Sequence, residues 1–197
     1  SDVTIEIPTN TGWNWISVNV SNDDNSLGNV LSSLGSSAEF IKTDDGFASY
    51  YPDWNVWAGS LSSIDPEDLY MLKTVDSGLL TYTGSAVDPS TPIELVSGWN
   101  WIGYLPQDAL ETNAALTSLS NGEFIKSLNG FSTYYADWFT WAGSLNILEP
   151  GVGYMLKMTA DDNLVFPDAL SSVNDLNQIE HNNLRRDDYR APEWTIN

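Results

Sequence analysis

Hydrophobic and polar positions change period several times along the chain, and each change predicts an element. VTIEI (3–7) alternates apolar and polar residues as a half-buried strand does. GWNWISVNV (12–20) follows with aromatic and β-branched residues behind a turn glycine, and reads as a second strand. Its parity places Trp13 and Trp15 on one side and Ile16, Val18 and Val20 on the other. LGNVLSSL (27–34) carries apolar residues at helical spacing and predicts one short helix. EFIKT–DDG–FASYY (39–51) has the pattern of a β-hairpin, with Gly46 expected in the left-handed turn position. WAGSL (57–61) and YMLK (70–73) predict two more strands around a turn at Asp65–Pro66, and LLTY (79–82) another.

The same succession then starts again. PIEL (92–95), GWNWIGYLP (98–106), a helical pattern in ALETNAALTSL (109–119) and the hairpin EFIKS–LNG–FSTYY (123–135, with Gly130 at its turn) are followed by WAGSL (141–145), Glu149–Pro150, YMLK (154–157) and LVF (164–166). Residues 39–73 and 123–157 align without a gap, and 20 of their 35 paired positions are identical. A fixed internal period of this kind is the mark of a repeat architecture. The expectation is a mainly β (α+β) fold of two pseudo-equivalent repeats of about 80 residues, each a small antiparallel-rich sheet with one short helix. Unit one covers residues 1–84 and unit two 85–167, joined through the turn formers of GSAVDPSTP (84–92). Residues 168–197 match neither copy; this polar C-terminal segment holds all three arginines and the single histidine, and reads as an exit toward a further domain.

Charge narrows the range of partners. The chain has 27 acids against 7 bases, a net charge of −20, which argues against nucleic acid and anionic lipid surfaces. Such a surface suits a salty or calcium-containing medium in which cations screen self-repulsion. No cysteine is present, so disulfides, thiol nucleophiles and Cys-ligated metals are all excluded. Apolar runs break after a few residues, and no membrane span is predicted. The opening SDVTIEIP has neither the basic nor the apolar region of a signal peptide.

Which residues the copies share is informative because so many others have changed. Eight of the nine tryptophans form pairs: Trp13/Trp99, Trp15/Trp101, Trp54/Trp138 and Trp57/Trp141. All four lysines also pair, as Lys42/Lys126 and Lys73/Lys157, and each is expected to meet a retained carboxylate, from Glu39/Glu123 or Asp53/Asp137. The aliphatic side of GWNWI is the core side, so its tryptophan side is either a second buried layer, under the short helix or between repeats, or an exposed platform, and burial is the favoured expectation. YYPDWNVWAGS and YYADWFTWAGS pack aromatics and an acid around a bend. Rings with a nearby carboxylate and amide are what sugar binding needs: the rings stack on the apolar face of a pyranose and the polar groups bond its hydroxyls. Tyr50, Tyr51, Asp53, Trp54 and Trp57, with Tyr134, Tyr135, Asp137, Trp138 and Trp141, are the candidate ligand-binding residues.

Catalytic chemistry finds little to use. His181 lies beside two asparagines in the tail, there is no G-x-S-x-G elbow, and TVDSG (74–78) has MTADDN as its counterpart instead of a second Asp-Ser-Gly. Carboxylate pairs for glycoside hydrolysis could be drawn only from Asp53, Asp137, Glu39 and Glu123, each found once per repeat near a lysine. No enzyme activity and no required cofactor are expected. Calcium is the one ion for which loop acids offer oxygens, at Asp23, Asp24, Asp44, Asp45, Asp161 and Asp162, but none of these stretches satisfies the EF-hand loop, and solvated acids are the simpler reading.

The succession GWNWI, FIK, F-x-x-Y, W-x-G-S-L and P-x-x-GYMLK resembles a repeat module of large bacterial secreted and surface multidomain proteins, many from marine or polysaccharide-degrading bacteria. The resemblance spans both units, with DPEDLYMLK in copy one departing from the EPGVGYMLK of copy two. It implies a secreted or cell-surface location in a bacterium and attachment to further domains. Two functions fit: a non-catalytic carbohydrate-binding module that binds a neutral polysaccharide through duplicated aromatic platforms, or a structural or adhesion spacer whose aromatics are core.

Overall fold

Residues 2–168 are described in a computed structural model of the chain; the exit segment beyond Asp168, with His181 and the arginines, lies outside the described residues. The first repeat contributes β1 (Asp2–Thr9), β2 (Gly12–Ile16), β3 (Val20–Ser21), β4 (Ala38–Lys42), β5 (Phe47–Tyr51), β6 (Val56–Gly59), β7 (Tyr70–Thr74) and β8 (Gly78–Ala86). The second contributes β9 (Ile93–Leu95), β10 (Gly98–Ile102), β11 (Leu110–Glu111), β12 (Gly122–Lys126), β13 (Phe131–Tyr135), β14 (Thr140–Gly143), β15 (Ile147–Leu148), β16 (Tyr154–Met158) and β17 (Asp162–Leu164). The main sheet of each repeat has five antiparallel strands in the same order, β2-β7-β4-β5-β6 and β10-β16-β12-β13-β14. A smaller sheet lies with each: β1-β8-β3 in the first repeat, β9-β17 in the second, where β11-β15 adds a short pair.

The repeated GWN is a local folding device. Gly12 and Gly98 have φ of +97° and +94°, a region open to glycine because it lacks Cβ. The asparagine two residues on then ties the turn to the strand. The Asn10 amide donates to Asn14 Oδ1 at 2.9 Å and Asn14 Nδ2 donates back to the Asn10 carbonyl at 2.8 Å. Asn100 makes the same pair of bonds with the Val96 backbone, at 2.9 and 2.8 Å.

On one side of each main sheet lies a core. Ile16, Ile41 and Leu72 meet Ile5, Ile7, Leu80 and Tyr82 of the smaller sheet, with Leu27, Val30 and Leu31 closing the end. In the second repeat Ile102, Ile125 and Leu156 meet Ile93, Leu95, Leu164 and Phe166. Burial of this apolar area is the main stabilising term.

Several elements differ from the sequence expectation. The first helix covers only Leu27–Val30 and is followed by a 3-10 segment, Ser32–Ser37, in which Gly35 takes a φ of +52°. The second covers Thr112–Ala115, because Leu110 and Glu111 pair with Leu148 and Ile147 instead of starting the helix. Gly46 and Gly130 do not adopt positive φ. Their hairpins close through Thr43 N–H to the Gly46 carbonyl at 2.9 Å and Ser127 N–H to the Gly130 carbonyl at 2.8 Å, a turn that needs no left-handed residue. Positive φ falls instead on Asn55 and Phe139, in the next turn of each repeat. The last strand is Asp162–Leu164, two residues before LVF ends, and Phe166 goes to the core.

The repeats meet at a polar seam. Ser17 N–H donates to the Gly151 carbonyl at 3.1 Å, and at the matching place Gly103 N–H donates to the Glu67 carbonyl at 2.7 Å. The fully buried Ser17 hydroxyl donates to the Val152 carbonyl at 2.7 Å and accepts from the Tyr104 amide at 3.1 Å. Asn19 Nδ2 donates to the Pro106 carbonyl at 2.7 Å, and Gln107 Nε2 donates to the Asn19 carbonyl at 3.0 Å. The two proline turns are equivalent in one respect: Asp65 N–H donates to the Tyr70 hydroxyl and Glu149 N–H to the Tyr154 hydroxyl, both at 2.8 Å. They differ in another, since only Gly151 has a positive φ, +85°. A Cβ on Gly103 would run into the Pro66 carbonyl across the seam. Gly103→Ala is therefore expected to lower unfolding free energy by roughly 1–3 kcal/mol, read as a lower urea midpoint.

Candidate functional site: the outer aromatic faces

Among the described residues, no element forms a second layer on the side of each main sheet away from its core. Strand register sets two rows across that side. Trp13, Lys73, Phe40, Ser49 and Ala58 form the first, and Trp15, Met71, Lys42 and Phe47 the second. In the second repeat the rows read Trp99, Lys157, Phe124, Thr133, Ala142 and Trp101, Met155, Lys126, Phe131. Only the Ser49/Thr133 position differs between the copies, while two nearby turns have changed most of their residues, DDG to LNG and PEDL to PGVG.

This corrects the expected burial of the GWNWI rings. Trp13 and Trp99 are 41% and 47% exposed, and Trp15 and Trp101 are half-buried. The short helices pack on the core side. The rings are held by one another: Trp13 meets Phe40 edge-on at 6.1 Å and Phe40 stacks on Phe47 at 5.9 Å, and Trp99, Phe124 and Phe131 repeat this at 6.0 and 5.5 Å. Such contacts add about 0.5–1.5 kcal/mol each beyond area burial.

The four lysines of the described residues all lie on these faces, in two roles. Lys73 pairs with Glu39 at 3.1 Å and Lys157 with Glu123 at 2.8 Å, as one sequence expectation had it. These pairs are partly exposed and worth about 1 kcal/mol at most. Lys42 and Lys126 take rings in place of carboxylates. The Lys42 ammonium is 5.2 Å from the Trp13 ring centre. Lys126 is 4.9 Å from Trp99 and 5.9 Å from Trp15 of the other repeat, so one ammonium is shared across the seam. Asp53 and Asp137 are exposed and meet no lysine.

The expected YYPDWNVW and YYADWFTW platforms are split by strand parity. Tyr50 and Trp57 contact each other at 5.1 Å and pack against the first core, and Tyr134 and Trp141 do so at 5.3 Å against the second, with Trp141 only 7% exposed. These four belong to the fold's interior side. Tyr51 and Trp54 point out and stack at 5.8 Å, and Tyr135 and Trp138 meet in a tilted contact at 5.6 Å. Trp54 and Trp138 are 74% and 73% exposed, at the tip of the turn leading to β6 or β14. Asp53 and Asp137 flank them. Each repeat thus presents Trp54 or Trp138 at the rim of an outer face whose two rows already carry four rings. The members missed from sequence are Trp13, Phe40, Lys42 and Phe47 with their counterparts. Their signal was the alternation within EFIK and FASYY, which puts Phe40, Lys42, Phe47 and Tyr51 on the side opposite Ile41 and Ala48.

Three of the six acids weighed for calcium are engaged by the backbone. Asp24 Oδ1 accepts from the Ser26 amide at 3.0 Å, and Asp161 Oδ1 from the Ser97 amide at 2.8 Å. Asp162 accepts from the Ser120, Asn121 and Asn163 amides, which hold its carboxyl below the usual range against the opposing effect of burial. No cluster of three or more acids or histidines with metal-holding geometry occurs among the described residues. Comparison with protein-family models, with curated proteins and with solved structures gives no match.

Two grooves flank the seam at matching places. The larger, about 600 Å³, runs between Trp15 and the β12–β13 turn. The smaller, about 340 Å³, runs between Trp101 and Asp44 of the β4–β5 turn, and adds Glu67, Asp68 and Glu94. Burial, then the Asp65 and Asp44 carboxylates, push Asp68 up to about 6 from 3.8. Folding thus favours protonated Asp68, a contribution that is lost as pH rises from about 4 to about 6 and stays lost above that. Asp68→Asn is expected to raise stability at pH 7.5 by about 1 kcal/mol after allowance for solvent screening, a Tm gain of about 2–4 °C. Melts at pH 3.5 should show little difference between the two proteins.

Proposed function

We propose that the protein is a non-catalytic carbohydrate-binding module that holds a neutral polysaccharide on its two outer aromatic faces, as part of a larger bacterial secreted or surface protein. The observation that carries this reading is the set of exposed rings kept in both copies, Trp13, Phe47, Tyr51 and Trp54 with Trp99, Phe131, Tyr135 and Trp138. Solvation alone would not preserve exposed rings. The projecting Trp54 and Trp138 supply stacking surfaces for pyranose rings, and Asp53, Asp137 and the lysine–glutamate pairs supply hydroxyl partners. With an overall charge of −20 and four lysines, a polyanionic glycan would be repelled. Two equivalent faces on one body gain avidity on a polymer.

Affinity electrophoresis against hydroxyethylcellulose, mixed-linkage β-glucan, galactomannan and xylan tests the reading. Retardation by at least one of these is expected. Trp54→Ala or Trp138→Ala alone removes one of two linked sites and weakens binding by about 10²-fold; together they abolish it. Absence of retardation across the panel, with no sugar-dependent change in tryptophan fluorescence, would leave the alternative, a spacer or adhesion module whose ring contacts only stabilise the sheet. Trp57→Ala and Trp141→Ala are unsuitable probes because both rings pack on the core.

A further inference from the structure

The two seam grooves occupy equivalent positions, yet their linings have diverged far more than the outer faces. In the smaller groove the turn residues are Asp44, Glu67 and Asp68. At the same places the larger groove has Leu128, Gly151 and Val152, which remove three carboxylates and leave more space. Its volume of about 600 Å³ lies within the range of about 300–1,000 Å³ usual for small-ligand sites.

Four side chains at its edge, Glu6, Asn10, Asn129 and Glu149, make no hydrogen bond to any other described residue. They comprise two amides and two carboxylates, which together donate and accept in the way vicinal hydroxyls require. One wall is the ring of Trp15, which also belongs to the outer row beside Met71. Lys126, on the outer face of the other sheet, lies 5.9 Å from that ring. The groove therefore opens where the two outer faces adjoin.

We propose that this larger groove is a sugar subsite, taking one to three units of a neutral glycan against Trp15, with Glu6, Asn10, Asn129 and Glu149 as hydroxyl partners. The assignment rests on the carbohydrate reading given above. It makes the chain asymmetric in function: both faces hold polymer, and only one of the two grooves accepts a short sugar. The matching groove, with its four carboxylates, offers few hydrogen-bond donors to the same ligand.

The test is calorimetric titration of the full chain with cello-, manno- and xylotetraose. Three proteins are compared: wild type, the platform variant Trp54→Ala/Trp138→Ala, and the groove variant Asn129→Ala/Glu149→Ala, whose altered side chains are exposed and unbonded. One tetraose per chain should bind wild type and the platform variant alike, and the groove variant should bind it at least five-fold more weakly. Equal tetraose affinity in wild type and groove variant overturns the subsite. So does a wild type that binds polymer yet no tetraose, and in that case the outer faces stand. A wild type that binds neither tetraose nor polymer overturns the carbohydrate reading and the subsite with it.

Discussion

The buried hydroxyl of Ser17 is the contact on which the relation between the two halves depends. It accepts from Tyr104 N–H and donates to the Val152 carbonyl, joining two backbone groups of the second repeat to a side chain of the first. Its counterpart Gly103 could not carry any side chain, because the Pro66 carbonyl occupies that space. The seam is thus built from one serine and one glycine at the same repeat position, a difference between copies that the packing requires. It fixes where each hairpin turn lies beside the other repeat's GWNWI strand. The shared placement of Lys126 between Trp99 and Trp15 follows from this, as do both grooves.

A unit of about 80 residues can cover only one face of a five-stranded sheet, since the smaller sheet and the short helix are used up on the core side. The other face must then be compatible with water while still resisting distortion. Rings in mutual contact, a lysine ammonium over one of them and a cross-strand ion pair meet that need. The same groups form a surface that is apolar at its centre and polar at its rim. Structural demand alone would be satisfied by many combinations of β-branched and charged residues. The recurrence of exposed rings in both repeats is the ground on which a ligand is proposed.

Much of the fold was legible in the sequence because it rests on short-range rules. Alternation in VTIEI, the glycine before each WNW, the hairpin pattern of EFIK to YY and the proline turns all appear as read. Strand parity likewise separated Ile16 from Trp13. What parity cannot say is whether a second layer exists, because that depends on where a distant helix goes. Leu27 and Val30 could have covered either side, and tertiary packing sent them to Ile41 and Leu72. The candidate site was half legible for the same reason. Tyr51 and Trp54 were found by composition around a bend. Tyr50 and Trp57 were grouped with them, although adjacent residues of a strand must face opposite ways. Phe40 and Phe47 were passed over because each is a single aromatic in a hairpin, and they become part of a surface only when register sets them beside Trp13.

Where the copies agree and where they differ divides the molecule by role. Core positions tolerate exchange of one apolar residue for another, as Val18 for Tyr104. The seam tolerates only complementary change, as Ser17 opposite Gly103. The outer faces keep eight of nine positions, as strictly as the main-sheet core keeps Ile16/Ile102, Ile41/Ile125, Leu72/Leu156 and Tyr70/Tyr154, although water reaches several of the outer rings and stability alone asks less of exposed positions. The proline turns behave differently again: the tyrosine hydroxyl that accepts from Asp65 or Glu149 is kept, while the residues between have become acidic in one copy and small in the other. Those residues are the ones lining the two grooves. The frame that holds the turn has been preserved and its chemistry has separated, leaving two equivalent faces and two unlike grooves on a single body.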